Sequence, residues 1–175
     1  MAEKSTKKNN GEDSILKALL EDPTRSLRNI AKELGTYRQK VWREKTKLEE
    51  EKKIWGYTGI LDEQKMGRSL YVLMLKLKPM SKPLADLMIT RITKKEPSKQ
   101  NVKLTTMFYV NGEYDYIIVF SAPDHSTARR YYESLRVAYD EFLLEKPVIV
   151  DVDFCLIREG KINPDIDNLR NFIPL

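Results

Sequence analysis

The sequence predicts an α+β chain in two parts, three short helices followed by a βαββαβ unit. Three observations predict it. Apolar residues recur at helical spacing over the first fifty or so residues. Further on, four stretches carry continuous or alternating apolar residues, as strands do. Two amphipathic stripes at helical spacing separate those four stretches. At 175 residues the chain suits one large domain or two small ones, and 41% hydrophobic residues suffice for a packed core.

Residues 1–10 read as a flexible basic tail, polar and lysine-rich, without the apolar stretch of a secretory signal. Ile15, Leu16, Leu19 and Leu20 share one helical face, with Asp13 or Ser14 as its cap. Pro23 ends that helix, because proline lacks an N–H and crowds the preceding turn. Ser26 caps a second helix striped by Leu27, Ile30, Ala31 and Leu34. Gly35 supplies the left-handed residue that stops it. A third helix covers about residues 36–51 with Val41 and Leu48 inward, so a glycine turn joins two helices as in a helix-turn-helix. Residues 54–61, rich in aromatic, β-branched and glycine residues, read as a strand, a wing or a linker. The first domain is therefore a winged helix-turn-helix over 11–61, followed by a linker over 62–69.

The second domain is expected over 70–159. Residues 70–77 form a nearly continuous apolar strand, 84–92 a helix facing inward through Leu84, Leu87, Met88 and Ile92, and 102–110 an alternating strand. Asn111-Gly112 signals a hairpin, since both residues accept positive φ, and 114–120 is the returning strand. Asp124 or Ser126 opens a long helix striped by Ala128, Tyr131, Tyr132, Leu135, Ala138, Tyr139 and Phe142; residues 148–157 are the last strand. This order is the ferredoxin-like one, an antiparallel sheet with both helices on one face. The helix side is expected to carry Val102, Leu104, Phe108, Val148, Val150, Val152, Phe154 and Leu156. Met107, Tyr109, Ile117, Val119, Ile149, Cys155 and Ile157 are expected on the other. A sheet apolar on both faces needs both covered, and a second copy is the expected cover, giving a two-fold dimer. Residues 160–175 read as an extended tail, with Ile162, Leu169, Phe172 and Ile173 available to dock on a partner.

From Arg25 to Lys47 stand eight basic residues (Arg25, Arg28, Lys32, Arg38, Lys40, Arg43, Lys45, Lys47) against Glu33 and Glu44, a local excess of six in a chain of net charge +5. Such clustering suits phosphate neutralisation and double-stranded DNA as partner. With Val41 and Leu48 inward, Gln39 and Arg43 point outward one above the other, flanked by Lys40, Trp42, Thr46 and Lys47. Glutamine can pair bidentately with adenine and arginine with guanine, so this pair is assigned to base readout. Arg38, Lys40, Lys45 and Lys47, with Arg25 and Arg28 ahead of them, suit phosphates. Trp42 either stacks on sugar or base or packs on the wing, packing being the preferred reading.

The single cysteine, Cys155, can form neither an internal disulfide nor a thiolate metal site, which fits a reducing cytoplasm. No run approaches the roughly 18 apolar residues of a membrane span. No nucleophile–base pair, phosphate loop or metal-ligand spacing stands out, and the lone histidine, His125, reads as a surface residue. No catalytic residue, metal or cofactor is expected.

Several strings resemble the Lrp/AsnC (feast/famine) regulators over about residues 12–157. In the first domain they are Ser14-Ile15-Leu16, Leu19-Leu20, Ser26 with Ile30-Ala31-Lys32-Glu33-Leu34-Gly35, Val41, Leu48-Glu49-Glu50, and Ile54-Trp55-Gly56-Tyr57 with Leu61-Asp62 and Gly67. In the second, Asn111-Gly112-Glu113-Tyr114-Asp115-Tyr116 is close to the family's Gly-x-Tyr/Phe-Asp-Tyr turn. The resemblance implies a C-terminal domain of the RAM/AsnC type and a transcription regulator. It also implies an amino-acid effector at a subunit interface, its ammonium held by the backbone and Asp115 beside Gly112 and Tyr114. Assembly as dimers is implied too, with tetramers or octamers left open.

Asp151 and Asp153 stand near positions where the family commonly has threonine. Both are expected on the covered face, where they would need a salt bridge across the dimer or a cationic ligand such as lysine or arginine. Tyr37 stands where serine is usual, Lys40 where a small residue is, Glu44 where arginine is, Lys45 where an apolar residue is and Lys52 where glycine is. Two other functions share the layout: a tetrapyrrole-processing (siroheme decarboxylase-like) enzyme, and a sensor or adaptor whose helix-turn-helix no longer binds DNA.

Overall fold

In the computed structural model, which describes residues 13–174, the chain divides between Gly59 and Ile60 into two units. The tail expected over 1–10 lies outside the described residues.

The first unit has residues 13–21 in helical conformation (α1), then α2 (Leu27–Glu33) and α3 (Arg38–Glu50). Ser26 caps α2, its hydroxyl accepting from the Asn29 N–H at 3.2 Å. At the far end Thr36 N–H donates to Ala31 C=O (2.8 Å) and Gly35 N–H to Lys32 C=O (3.3 Å), with Gly35 at φ +60°. These two bonds are the Schellman closure, which fixes the turn into α3. The end of α3 closes the same way, through Lys53 N–H to Leu48 C=O (2.9 Å) and Lys52 N–H to Glu49 C=O (3.1 Å). There the left-handed residue is Lys52, at φ +56°. Ile15, Leu19, Ile30, Val41, Leu48 and Ile54 are buried together as this unit's core. Residues 54–62 pair in no sheet. No wing strand forms, because among the described residues this unit offers no second strand to pair with.

The second unit contains β1 (Ser69–Leu75), α4 (Lys82–Thr93), α5 (Glu96–Lys99), β2 (Lys103–Tyr109), β3 (Tyr116–Ala122), α6 (His125–Ala138) and β4 (Val148–Val152). The strands form one antiparallel sheet in the order β2-β3-β1-β4, the ferredoxin-like arrangement expected. Leu84 and Met88 of α4, with Ala128, Tyr131, Tyr132 and Leu135 of α6, bury against Tyr71, Leu73, Leu75, Tyr116, Ile118 and Phe120 on one sheet face. Asp124 caps α6, its carboxylate accepting from the Thr127 N–H at 2.7 Å.

The assignment of β2 and β4 to faces is corrected. Cross-strand partners share a face, and β4 aligns Ile149 with Leu73 and Asp151 with Tyr71. Ile149 and Asp151 therefore lie on the helix side. Val148, Val150 and Val152 align with Met74, Val72 and Leu70 on the open side. On β2, a register shift between Leu104 and Thr106 likewise puts Phe108 on the open face with Ile117 and brings Met107 opposite Ile118. A shift of one residue exchanges the two faces of a strand, and here both sets were apolar. The open face remains unpartnered, with Phe108 51% and Val150 41% exposed.

Two boundaries also change. Residues 62–69, expected as a linker, belong to the second unit. Glu63 is buried and pairs with Arg158, and Arg68 donates to Ser121 Oγ (3.0 Å), Ser121 C=O (2.8 Å) and Asn101 C=O (3.0 Å). The last strand stops at Val152, and a small hairpin, β5 (Ile157–Arg158) and β6 (Lys161–Ile162), spans the end of the expected strand and the start of the expected tail. Its central residues, Glu159 and Gly160, both have positive φ (48° and 73°), as the tightest two-residue turn requires. A 3₁₀ segment (Ile166–Phe172) follows, with Phe172 set against Phe154 at 6.0 Å between ring centroids. Among the described residues, no helix is long and apolar enough to cross a membrane.

Candidate nucleic-acid interface and effector loop

The outward face of α3 follows from its two buried anchors. Val41 and Leu48 are fully buried, which leaves Arg38, Gln39, Trp42 and Arg43 exposed and Lys40 and Lys47 half-buried. Arg28 is exposed on α2. Among the described residues Arg28, Arg38 and Lys40 form no ion pair, so their charge is available to an anion. Arg25 differs: its guanidinium is paired with Glu33. Lys47 lies 3.9 Å from Glu51 across one helical turn. Trp42 is 55% exposed and does not take up the packing role preferred for it; with no wing strand there is no wing to pack on. From the following segment, beyond the buried Ile54, Tyr57 meets α3, its ring lying under Lys45 Nζ at 5.2 Å from the centroid. Lys45 also bonds Glu49 at 2.7 Å. That bond is the main reason the Lys45 ammonium is held above its usual range and the Glu49 carboxyl below its own.

Tyr37 belongs to this face and was not among the expected contact residues. It occupies the cap position of α3 without a capping side-chain bond. Its hydroxyl instead accepts from Arg43 Nη2 at 3.2 Å. The sequence signal was the aromatic residue at a cap position, where short polar side chains are preferred.

Charge alone does not single out this region. Residues 76–103 also hold eight basic side chains (Lys76, Lys78, Lys82, Arg91, Lys94, Lys95, Lys99, Lys103) against Asp86 and Glu96. The excess over 25–47 is therefore matched elsewhere, and the weight falls on helix geometry.

The expected effector residues do not form one cluster. Neither Asn111 nor Gly112 has positive φ, so no two-residue hairpin turn forms there. The chain instead rounds a six-residue loop, 110–115, closed by Val110 N–H to Asp115 C=O at 2.8 Å. Asp115 anchors the loop to the exit of β1: its N–H donates to Leu75 C=O (3.0 Å), and its Oδ2 accepts from the Leu77 N–H (2.8 Å). Asp151 lies elsewhere, exposed, with its Oδ2 3.9 Å from His125 Nδ1. Asp153 is exposed beyond the end of β4. Asp151 is on the helix side but exposed at its margin, and Asp153 is exposed too, so the burial argument for a cationic ligand no longer applies.

No protein-family model matches the chain, and no curated protein matches it in sequence. Solved structures do. An AsnC family transcriptional regulator from Agrobacterium tumefaciens superposes with a TM-score of 0.64 at 18% identity, covering 89% of this chain and 96% of that one. The leucine response regulatory protein of Mycobacterium tuberculosis gives 0.67 at 14%, covering 88% and 98%. A transcriptional regulator from Neisseria meningitidis, solved as an L-Met complex, gives 0.66 at 12%, covering 85% and 91%. The chain has the AsnC/Lrp fold. The points at which it departs from the AsnC/Lrp sequence pattern include two of the pairings described above: Tyr37 holds Arg43, and Lys45 holds Glu49. A third departure, Lys52, carries the left-handed conformation at the end of α3.

Proposed function

We propose that the chain is a sequence-specific DNA-binding transcription regulator that works as a homodimer and responds to an amino acid or a related small molecule. The observation that carries this reading is α3 itself, a helix locked after a glycine turn with Arg38, Gln39, Trp42 and Arg43 exposed along its outer face. In the major groove, Gln39 and Arg43 meet base edges, while Arg28, Arg38, Lys40 and Lys47 meet phosphates. Arg25 reaches a phosphate only by exchanging its bond to Glu33 for one to the DNA.

The open sheet face, apolar from Phe108 across to Val150, supports pairing with a second copy. An amino-acid effector at the 110–115 loop is supported by an acidic residue fixed in place, Asp115, whose Oδ2 accepts from the Leu77 N–H and whose carboxylate is the group type that holds an ammonium.

Footprinting and gel mobility of the full chain at two salt concentrations test the DNA reading. Specific protection with an affinity falling steeply with salt is expected, roughly 0.9 in log–log slope per phosphate contacted. The double variant Arg43→Glu/Lys47→Glu is expected to lose at least tenfold. An unchanged affinity in that variant would remove the regulator reading.

A further inference from the structure

We propose that the second unit holds a binding site for an uncharged, largely apolar small molecule, in a cavity separate from the 110–115 loop. The cavity has a volume of about 650 Å³ and lies between residues 60–65, the end of β4, the β5–β6 hairpin and residues 163–168. That volume is within the range of about 300–1,000 Å³ typical of small-molecule sites.

Its apolar wall is made by Ile60, Leu61, Leu70, Val152, Phe154 and Ile162. Several polar groups around it are already engaged. Glu63 pairs with Arg158, whose Nη1 also donates to Leu61 C=O (3.3 Å) and whose Nη2 donates to Thr105 Oγ1 (3.2 Å). Lys65 pairs with Asp165 and lies 3.8 Å from Asp62. Asn163 donates through Nδ2 to Cys155 C=O (2.7 Å) and accepts through Oδ1 from Asp165 N–H (2.9 Å).

Two consequences follow. The pairs Glu63–Arg158 and Lys65–Asp165 join segments about a hundred residues apart, so the walls are held in place without an occupant. The three carboxylates of the wall, Asp62, Glu63 and Asp165, are matched by three cations, Lys65, Arg158 and Lys161, so the wall carries no net charge. A ligand of either charge would give up its hydration and find no net counter-charge in the wall. An apolar one gains from covering Ile60, Leu61 and Ile162, which are exposed.

The test is titration of the full-length protein with N-phenyl-1-naphthylamine, an uncharged probe whose emission rises in apolar surroundings. Cys155 lines the cavity and is the chain's one thiol, so its modification by N-ethylmaleimide reports on this place alone. Saturable binding of one probe per chain is expected, with Cys155 modified at least fivefold more slowly when the probe is bound. Ile162→Asp and Ile60→Asp, both exposed positions, should weaken probe binding at least tenfold, whereas Ile173→Asp, exposed and outside the wall, should not. The proposal is overturned if the probe fails to saturate, if it binds without protecting Cys155, or if neither wall variant alters its affinity. A thiol that becomes slower with rising protein concentration while the probe fails to bind would mean that a second copy fills the space, which also overturns it. Because no DNA is involved, the outcome is independent of the DNA-binding reading.

Discussion

Arg43 and Tyr37 are joined across the first turns of α3, the arginine Nη2 donating to the tyrosine hydroxyl at 3.2 Å. Both side chains are exposed, so the bond contributes little to folding. Its effect is on Arg43, whose rotamer freedom it reduces ahead of the DNA contact proposed for it. Tyr37→Phe is therefore expected to leave the melting temperature unchanged and to weaken DNA binding by roughly 1 kcal/mol, about fivefold. Fluorescence anisotropy with a labelled operator fragment, beside a thermal melt, checks both halves.

The closure of α3 uses a lysine where the backbone favours glycine. Lys52 sits at φ +56°, and its side chain is exposed. Lys52→Gly should stabilise the first unit by about 1 kcal/mol, since the left-handed conformation costs a Cβ-bearing residue about that much. Gly35→Ala should destabilise by a similar amount, purely through the backbone, because an added Cβ there meets nothing within 4 Å. Urea titration of the two variants against the parent would show opposite shifts in midpoint.

Val150 lies on the open sheet face opposite Val72. A lysine at that position leaves the helix-side core untouched, but it would be buried in any assembly that covers the face. If two copies pair as proposed, Val150→Lys is expected to sediment as a monomer where the parent sediments as a dimer, with the far-ultraviolet circular dichroism unaltered. A variant that sedimented like the parent would place the subunit contact elsewhere.

Alkaline titration should unfold the second unit. Burial pushes the phenols of Tyr116, Tyr131 and Tyr139 above the usual tyrosine range. A phenol whose folded pKa exceeds its unfolded one adds stability that is fully present below the unfolded pKa, near 10, and is lost as pH rises beyond it. Absorbance near the tyrosinate band should thus rise in two stages, exposed phenols first and these three only with loss of helical signal. Tyr139→Phe should move the second stage to higher pH.

The helices of the first unit were legible because each carries a buried apolar stripe: Ile15 and Leu19, Ile30 and Ala31, Val41 and Leu48. The strand order was legible from the alternation of strand and helix segments. The faces of β4 were not, since Val148, Ile149, Val150 and Val152 read the same in either phase, and only pairing with β1 decides which of them look toward α6. Asn111-Gly112 carried the local signal for a tight turn, and a longer-range bond overrode it, the one from Leu77 to Asp115. Glu63 and Arg158 stand 95 residues apart, and no local pattern announces such a pair.

That bond to Asp115 has a mechanical consequence. Leu77, which it holds, also bridges to Leu143, while Lys78 N–H donates to Phe142 C=O (2.8 Å) and Leu144 N–H to Lys76 C=O (3.0 Å). Loop 110–115, the end of the central strand and the connection from α6 to β4 are thus stitched into a single span. Their amide protons should exchange with deuterium in concert, and a molecule seated on the loop would slow exchange as far away as Leu144.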